Sequence, residues 1–172
     1  MHLWSRTLTA AGIREPRLRD DYTQQRKTVS AYRRNACLAV RLLLPPPVVP
    51  HVIAATAFMH HTDVLAETAP SGAAGGDPLS AWGEQVHEAL NSGESSHPVL
   101  RPMVYTLSRH PGLREHVERF LAGAPLDRDF TGFADEAAYQ RYVDGYSLPA
   151  FMLVASLVLA PDADPGESRA LC

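Results

Sequence analysis

Apolar positions along this chain recur at three- and four-residue spacing in almost every segment, and no run alternates strictly between apolar and polar. That pattern predicts an all-α fold. A short helix is expected over residues 3–11 and a longer one over 18–44. Pro45, Pro46 and Pro47 stop the second, because proline has no amide proton to continue a helix. Residues 48–66, VVPHVIAATAFMHHTDVLA, form the most continuously apolar helical pattern, which ends near Thr68. Residues 69–78, APSGAAGGDP, read as a flexible connector. Ser80 is placed to cap a helix over 81–90, and Pro98 to open one that reaches Arg109. The His110-Pro111-Gly112 break precedes a helix to about Gly123, and 124–134 look irregular. A last helix opens at Asp135-Glu136 and runs through Tyr142 to Leu159. The organisation implied is one helical domain over 1–161 with a hydrophilic tail at 162–172.

Two carboxylates interrupt the apolar helix at its far end, Asp63 and Glu67. Residues four apart share a helix face, with Cβ atoms about 6 Å apart, and His60 lies on the same face. Burying an ionised acid costs several kcal/mol, of order ~5, unless a cation or hydrogen bonds offset it. A pair of acids at the mouth of an apolar helix suits magnesium, which takes one or two carboxylates and fills its remaining positions with water and phosphate oxygens. The same spacing also suits the wet end of an amphipathic helix.

Composition narrows the class. A chain of 172 residues with 45% hydrophobic positions is long enough for one domain with a real core. Cys37 and Cys172 belong to no CxxC pair, so neither a disulfide framework nor a zinc site is expected, and a cytoplasmic setting is. The N-terminus has no apolar signal segment, and the apolar run over 146–160 contains Pro149 and is shorter than a spanning helix of about 20 residues. Peripheral membrane contact stays open. The net charge of −3 hides a split, since residues 1–50 carry nine Arg and Lys against three acids and residues 51–172 carry seven against sixteen. A basic segment facing an acidic remainder suits an anionic ligand bridged by metal.

Four pieces of sequence, in order, resemble the squalene/phytoene synthase family of head-to-head isoprenoid synthases. They are Leu43-Leu44-Pro45, then Ala57-Phe58 leading to Asp63-Val64-Leu65-Ala66-Glu67, then His97-Pro98-Val99-Leu100, and finally Asp127-Arg128-Asp129-Phe130-Thr131-Gly132-Phe133 followed by Tyr142. The resemblance covers about residues 28–160. It implies an isoprenoid-synthase-type helical bundle, a prenyltransferase or terpene synthase acting on isoprenyl diphosphates, and Mg2+ held by Asp63 and Glu67. It implies catalytic roles for Asp63, Glu67 and Tyr142, substrate contacts from His60, Phe58 and Asp127, and an aromatic lining that draws on Phe58, Phe133, Tyr142, Tyr146 and Phe151.

The chain also departs from the family pattern. Val64 stands where DDxxD has its second acid, and Glu67 replaces the last aspartate. His60 stands where the family often has arginine. The hydroxyl positions of the family's early helix fall on Arg34, Ala36 and Cys37, so Arg33 or Arg34 would have to contact the diphosphate. No QxxNxxRDxxED-like second motif follows Tyr142. From that absence the expected architecture is only the N-terminal half of the bundle, incomplete as a single chain and finished by a second chain.

Two other classes compete. A non-catalytic helical module binding an isoprenoid ligand or a partner chain would share the exposed apolar helices. Nucleic-acid binding through Arg26, Lys27, Arg33, Arg34 and Arg41 is disfavoured, because no helix–turn–helix spacing precedes the proline block. A serine hydrolase would need GxSxG, which is absent.

Overall fold

A computed structural model of the chain describes residues 2–68, 77–128 and 130–159. Among these residues it contains nine α-helices and one π-helical turn, and no strand. The all-α expectation therefore holds. The helices are α1 (His2–Ala10), α2 (Pro16–Tyr32), α3 (Arg34–Leu43), α4 (Val49–Thr68), α5 (Pro78–Ser92), α6 (Leu100–Arg109), α7 (Leu113–Arg128), α8 (Glu136–Tyr142) and α9 (Leu148–Val158). None is long and apolar enough to cross a membrane.

The bundle is built around α4, which packs against α1, α2, α3, α5, α6, α7 and α9. Its N-terminal two-thirds are enclosed on every side: Val52, Ile53, Ala54, Ala55 and Phe58 are almost fully buried. A helix that is apolar all round belongs in the middle of a bundle. Its last two turns reach the surface, where Val64, Glu67 and Thr68 are exposed.

Four local predictions are corrected. The expected long helix over 18–44 breaks at Arg33, whose backbone (φ −135°, ψ 61°) ends α2 and starts α3. No proline or glycine marks this break. It lets Val29 of α2 and Cys37 of α3 fold onto Val49, Ile53 and Ala57 of α4 in one apolar cluster. At the start of α5 the cap is Asp77, not Ser80: its carboxylate accepts from the Leu79 amide at 3.1 Å and from the Ser80 hydroxyl at 2.9 Å. The expected connector thus ends earlier at its C-terminal side, while 69–76 lie outside the described residues, as does the tail at 162–172.

Residues 124–128 are helical rather than irregular, because α7 continues through Pro125. The last helix is interrupted by a π turn over Val143–Ser147, in which the Leu148 amide bonds the Val143 carbonyl five residues back. Pro149 supplies the physical cause. Lacking an amide proton, it cannot bond the Gly145 carbonyl four residues earlier, and a widened turn accommodates the loss. The freed carbonyl is packed against α7 at Gly123. A Cβ on Gly123 would fall far inside van der Waals contact with the Gly145 oxygen, so only glycine permits this approach.

Candidate functional site

Two tyrosines connect α8 and the π turn to acids on α7 and α4. The Tyr146 hydroxyl donates to Asp63 Oδ1 at 2.7 Å, and the Tyr142 hydroxyl donates to Asp127 Oδ1 at 2.5 Å. The two rings stand 5.4 Å apart, and the Asp127 charge acts on Asp63. Each tyrosine reaches a different acid, Tyr146 one on α4 and Tyr142 one on α7.

Burial and acidic neighbours dominate the electrostatics at Asp63, with the His60 charge acting against them. Burial pushes the Asp63 carboxyl above the usual carboxylate range; the Tyr146 hydrogen bond acts against this, while the charges of Asp127 and Glu67 add to it. Burial also raises both tyrosine hydroxyls, and their bonds to the carboxylates raise them further. A phenol that donates to an ionised acid is held as a donor. Glu67 is exposed one turn beyond Asp63, within electrostatic reach of it.

His60 occupies the rim beside these acids, stacked on the Tyr32 ring with centroids 4.1 Å apart. The Arg33 guanidinium lies 5.0 Å from the centre of the same ring and donates to the Tyr32 hydroxyl at 3.3 Å. Arg33, Tyr32 and His60 thus form a cationic–aromatic row that runs from the α2–α3 break to the acidic end of α4. Arg34 is exposed at the first turn of α3.

Aromatic rings extend from the acids in two directions. Outward, Phe130, Phe133 and Tyr142 form a mutually touching cluster with centroids 4.8–5.5 Å apart, and Tyr139 packs on Phe133. Inward, Tyr146 stacks on Phe120 at 5.6 Å, and Phe120 meets Phe58 at 6.1 Å. Phe58 is fully buried between Phe120 and Trp82, which makes it a core residue in this structure and not a wall of the open site. Phe151 is exposed on α9.

The predicted residues therefore separate into groups. Asp63, Asp127, Tyr142 and, at the margin, Glu67 and His60 come together; Arg33 joins through Tyr32; Phe58 does not. Sequence reasoning paired Asp63 with Glu67 by helical spacing and missed that Asp127 is the second buried-side acid. It also gave Tyr146 only a lining role, and left Tyr32 out. The adjacency Tyr32-Arg33 was a visible signal, but the helix break that turns it toward α4 was not. Among the described residues no group of three or more His, Cys, Asp or Glu side chains is placed to hold a metal by itself.

A family model described as squalene/phytoene synthase matches residues 29–171. The chain belongs to the squalene/phytoene synthase family. No curated protein matches the chain. The extent of the family match corrects two expectations, that the resemblance is to an N-terminal part only and that the fold is the N-terminal half of the bundle. The match runs along nearly the whole chain. The absence of one motif and the absence of half a fold are physically different things.

Proposed function

We propose that this member of the squalene/phytoene synthase family binds an isoprenyl diphosphate at the Asp63–Asp127 cluster and acts as a prenyltransferase. The observation that carries the reading is the pairing of two carboxylates by Tyr142 and Tyr146 at the open end of an otherwise buried helix. Mutual repulsion and burial keep the Asp63 proton affinity high, which is the condition a divalent cation relieves. The donor set fits magnesium when phosphate oxygens complete it: Asp63 and Asp127, with Glu67 beside them, supply hard oxygen ligands and no closed cage. Magnesium bound there would neutralise the charge that develops on a departing diphosphate.

The protein's own groups have separable tasks in this proposal. Tyr146 and Tyr142 hold the carboxylates in orientation and keep their hydroxyl protons, since both phenols are held well above their ordinary range. Arg33 and His60 face the diphosphate from the rim, and guanidinium matches phosphate oxygens in a planar fork. Phe130, Phe133 and Tyr142 offer ring faces to an apolar chain or to developing positive charge.

Calorimetric titration of farnesyl diphosphate with and without magnesium tests the reading. Binding should require magnesium and should weaken at least about tenfold, or ~1.4 kcal/mol, in Asp63→Asn and in Asp127→Asn. Equal affinity in parent and both variants would remove these acids from the site. The exposed apolar side chains Leu148, Phe151 and Val158 of α9 favour a second reading, a helical module that docks a partner chain. Magnesium-independent ligand binding together with no diphosphate release would favour that reading over catalysis.

A further inference from the structure

Among the described residues, the three most exposed large apolar side chains, Leu43, Leu42 and Leu3, lie on α3 and α1. Leu43 is 79% exposed, Leu42 74%, Leu3 65% and Leu38 53%. On α3 the inward positions Cys37 and Val40 already pack on α4, so Leu38 and Leu42 point away from the core as a second apolar stripe. Leu3 and Trp4 of α1 meet that stripe across a shallow groove of about 200 Å³, whose floor includes Val49. Leucines at this exposure on a helix that has already buried its inner face mark a docking surface rather than an unfinished core.

The charge around the leucines selects the occupant. Arg34, Leu38, Arg41 and Leu42 follow one another at i, i+4, i+7 and i+8, which is one helix face, and Arg6 lies one turn from Leu3 on α1. Arg6, Arg34 and Arg41 are all exposed. Residues 2–14 and 34–62, which contain this entire face, include no Asp or Glu. A second copy of the chain docking by the same face would set arginines against arginines, so an isologous dimer is disfavoured. A surface of leucines ringed by arginines, free of acids, matches the anionic surface of a lipid bilayer, where leucines enter the headgroup–acyl boundary and arginines meet lipid phosphates.

We propose that the α1–α3 face docks the protein on an anionic membrane surface, with Leu3, Leu38, Leu42 and Leu43 inserted and Arg34 and Arg41 on the headgroups. The contact is peripheral. It is separate from the apolar face of α9, and it stands independently of the function proposed for the acidic cluster.

Vesicle co-sedimentation of the full chain tests this. Phosphatidylcholine vesicles containing 30% phosphatidylglycerol should retain the protein, pure phosphatidylcholine vesicles should retain much less, and 0.5 M NaCl should weaken the anionic binding. Arg34→Gln and Arg41→Gln should each reduce the partition coefficient on the order of fivefold, and Leu42→Glu/Leu43→Glu should abolish binding. All four positions are exposed, and an unchanged circular dichroism spectrum and elution volume will establish that each variant is folded. Phe151→Glu on α9 should leave binding unchanged. Three results would overturn the proposal: no binding to anionic vesicles, equal binding to neutral and anionic vesicles, or loss of binding in Phe151→Glu with retention in Leu42→Glu/Leu43→Glu. Concentration-dependent dimerisation that Leu42→Glu/Leu43→Glu removes, without vesicle binding, would assign the face to a protein partner and reject the membrane.

Discussion

Two tyrosine-centred hydrogen-bond networks touch α4, about 18 Å apart along its axis, and they differ in everything but their parts. Near the N-terminus, buried His51 shares its Nδ1 with the Thr106 hydroxyl at 3.0 Å, and Thr106 in turn meets the Tyr22 hydroxyl at 3.0 Å. Tyr22 donates onward to the Pro102 carbonyl at 3.0 Å. Burial, aided by His110 and Arg109, lowers the His51 pKa to about 4, so at neutral pH every member is uncharged and each has a partner. Near the C-terminus the tyrosines instead donate to carboxylates that repel one another. The first network is closed and neutral, and it holds α2, α4 and α6 together. The second sets acidic charges against one another at the exposed end of α4, the feature on which the proposed cation site rests. Polar burial alone does not mark a site; unbalanced charge at an opening does.

The sharpest way to break the comparison is to disturb the geometry of one network only. Gly123→Ala should drive the π turn off α7 and displace both site tyrosines, destabilising the fold by about 3 kcal/mol. Gly83→Ala, which would meet only Leu121 at an ordinary 3.9 Å, should be neutral or stabilising by up to about 1 kcal/mol. Urea titrations of both variants check this pair. A neutral Gly123→Ala would mean that the π turn does not rest on α7 as described.

Acidification should act on the two networks with opposite sign. A histidine held at about 4 in the fold but near 6.5 when unfolded contributes stability that is present above pH 6.5 and is lost as pH falls toward 4. Between pH 7 and pH 5 the loss from His51 should be about 2 kcal/mol. His61, His97, His110 and His116 are also lowered by burial, so the diagnostic quantity is the difference between parent and His51→Gln. The variant should be less stable at pH 7 and should lose less on acidification. Parallel thermal-denaturation curves from pH 7 to 5 would refute the assignment.

A smaller effect is expected from Thr106→Val, which keeps the shape but deprives His51 and Tyr22 of their shared partner. Tyr22 retains the Pro102 carbonyl, so the cost should be about 1.5 kcal/mol. Ligand affinity at the acidic cluster should not move.

The least stability change should come from Asp63→Asn, although it removes a charge at the centre of the proposed site. For an acid whose pKa is raised in the fold, stability is highest in acid and falls as pH rises through the shifted value. The asparagine variant should therefore match or slightly exceed the parent in Tm at pH 7, and lose that margin as pH approaches the ordinary carboxylate range. A marked drop in Tm at pH 7 would show that Asp63 is part of the scaffold, and that the two networks are alike after all.

Much of this molecule was written locally. The all-α class follows from apolar periodicity, and the central position of α4 follows from the near-absence of a polar face between Val49 and Phe58. Helical spacing placed Asp63 and Glu67 on one face, and the Asp127 and Tyr142 segment was legible through its resemblance to the family. Those features depend on neighbours within a turn or two, or on motifs read in order. What tertiary structure decided depends on residues far apart in the chain. Arg33 breaks a helix that its own residues would have continued, because Val29 and Cys37 both need the same apolar surface of α4. Pro149 frees the Gly145 carbonyl, but only the closeness of Gly123 converts that freedom into a packed π turn. That turn in turn sends Tyr146 to Asp63, 83 residues away, and leaves Phe58, which resemblance placed at the substrate, in the core. A helix records its own faces in its spacing, whereas which face meets which partner is settled by packing around α4.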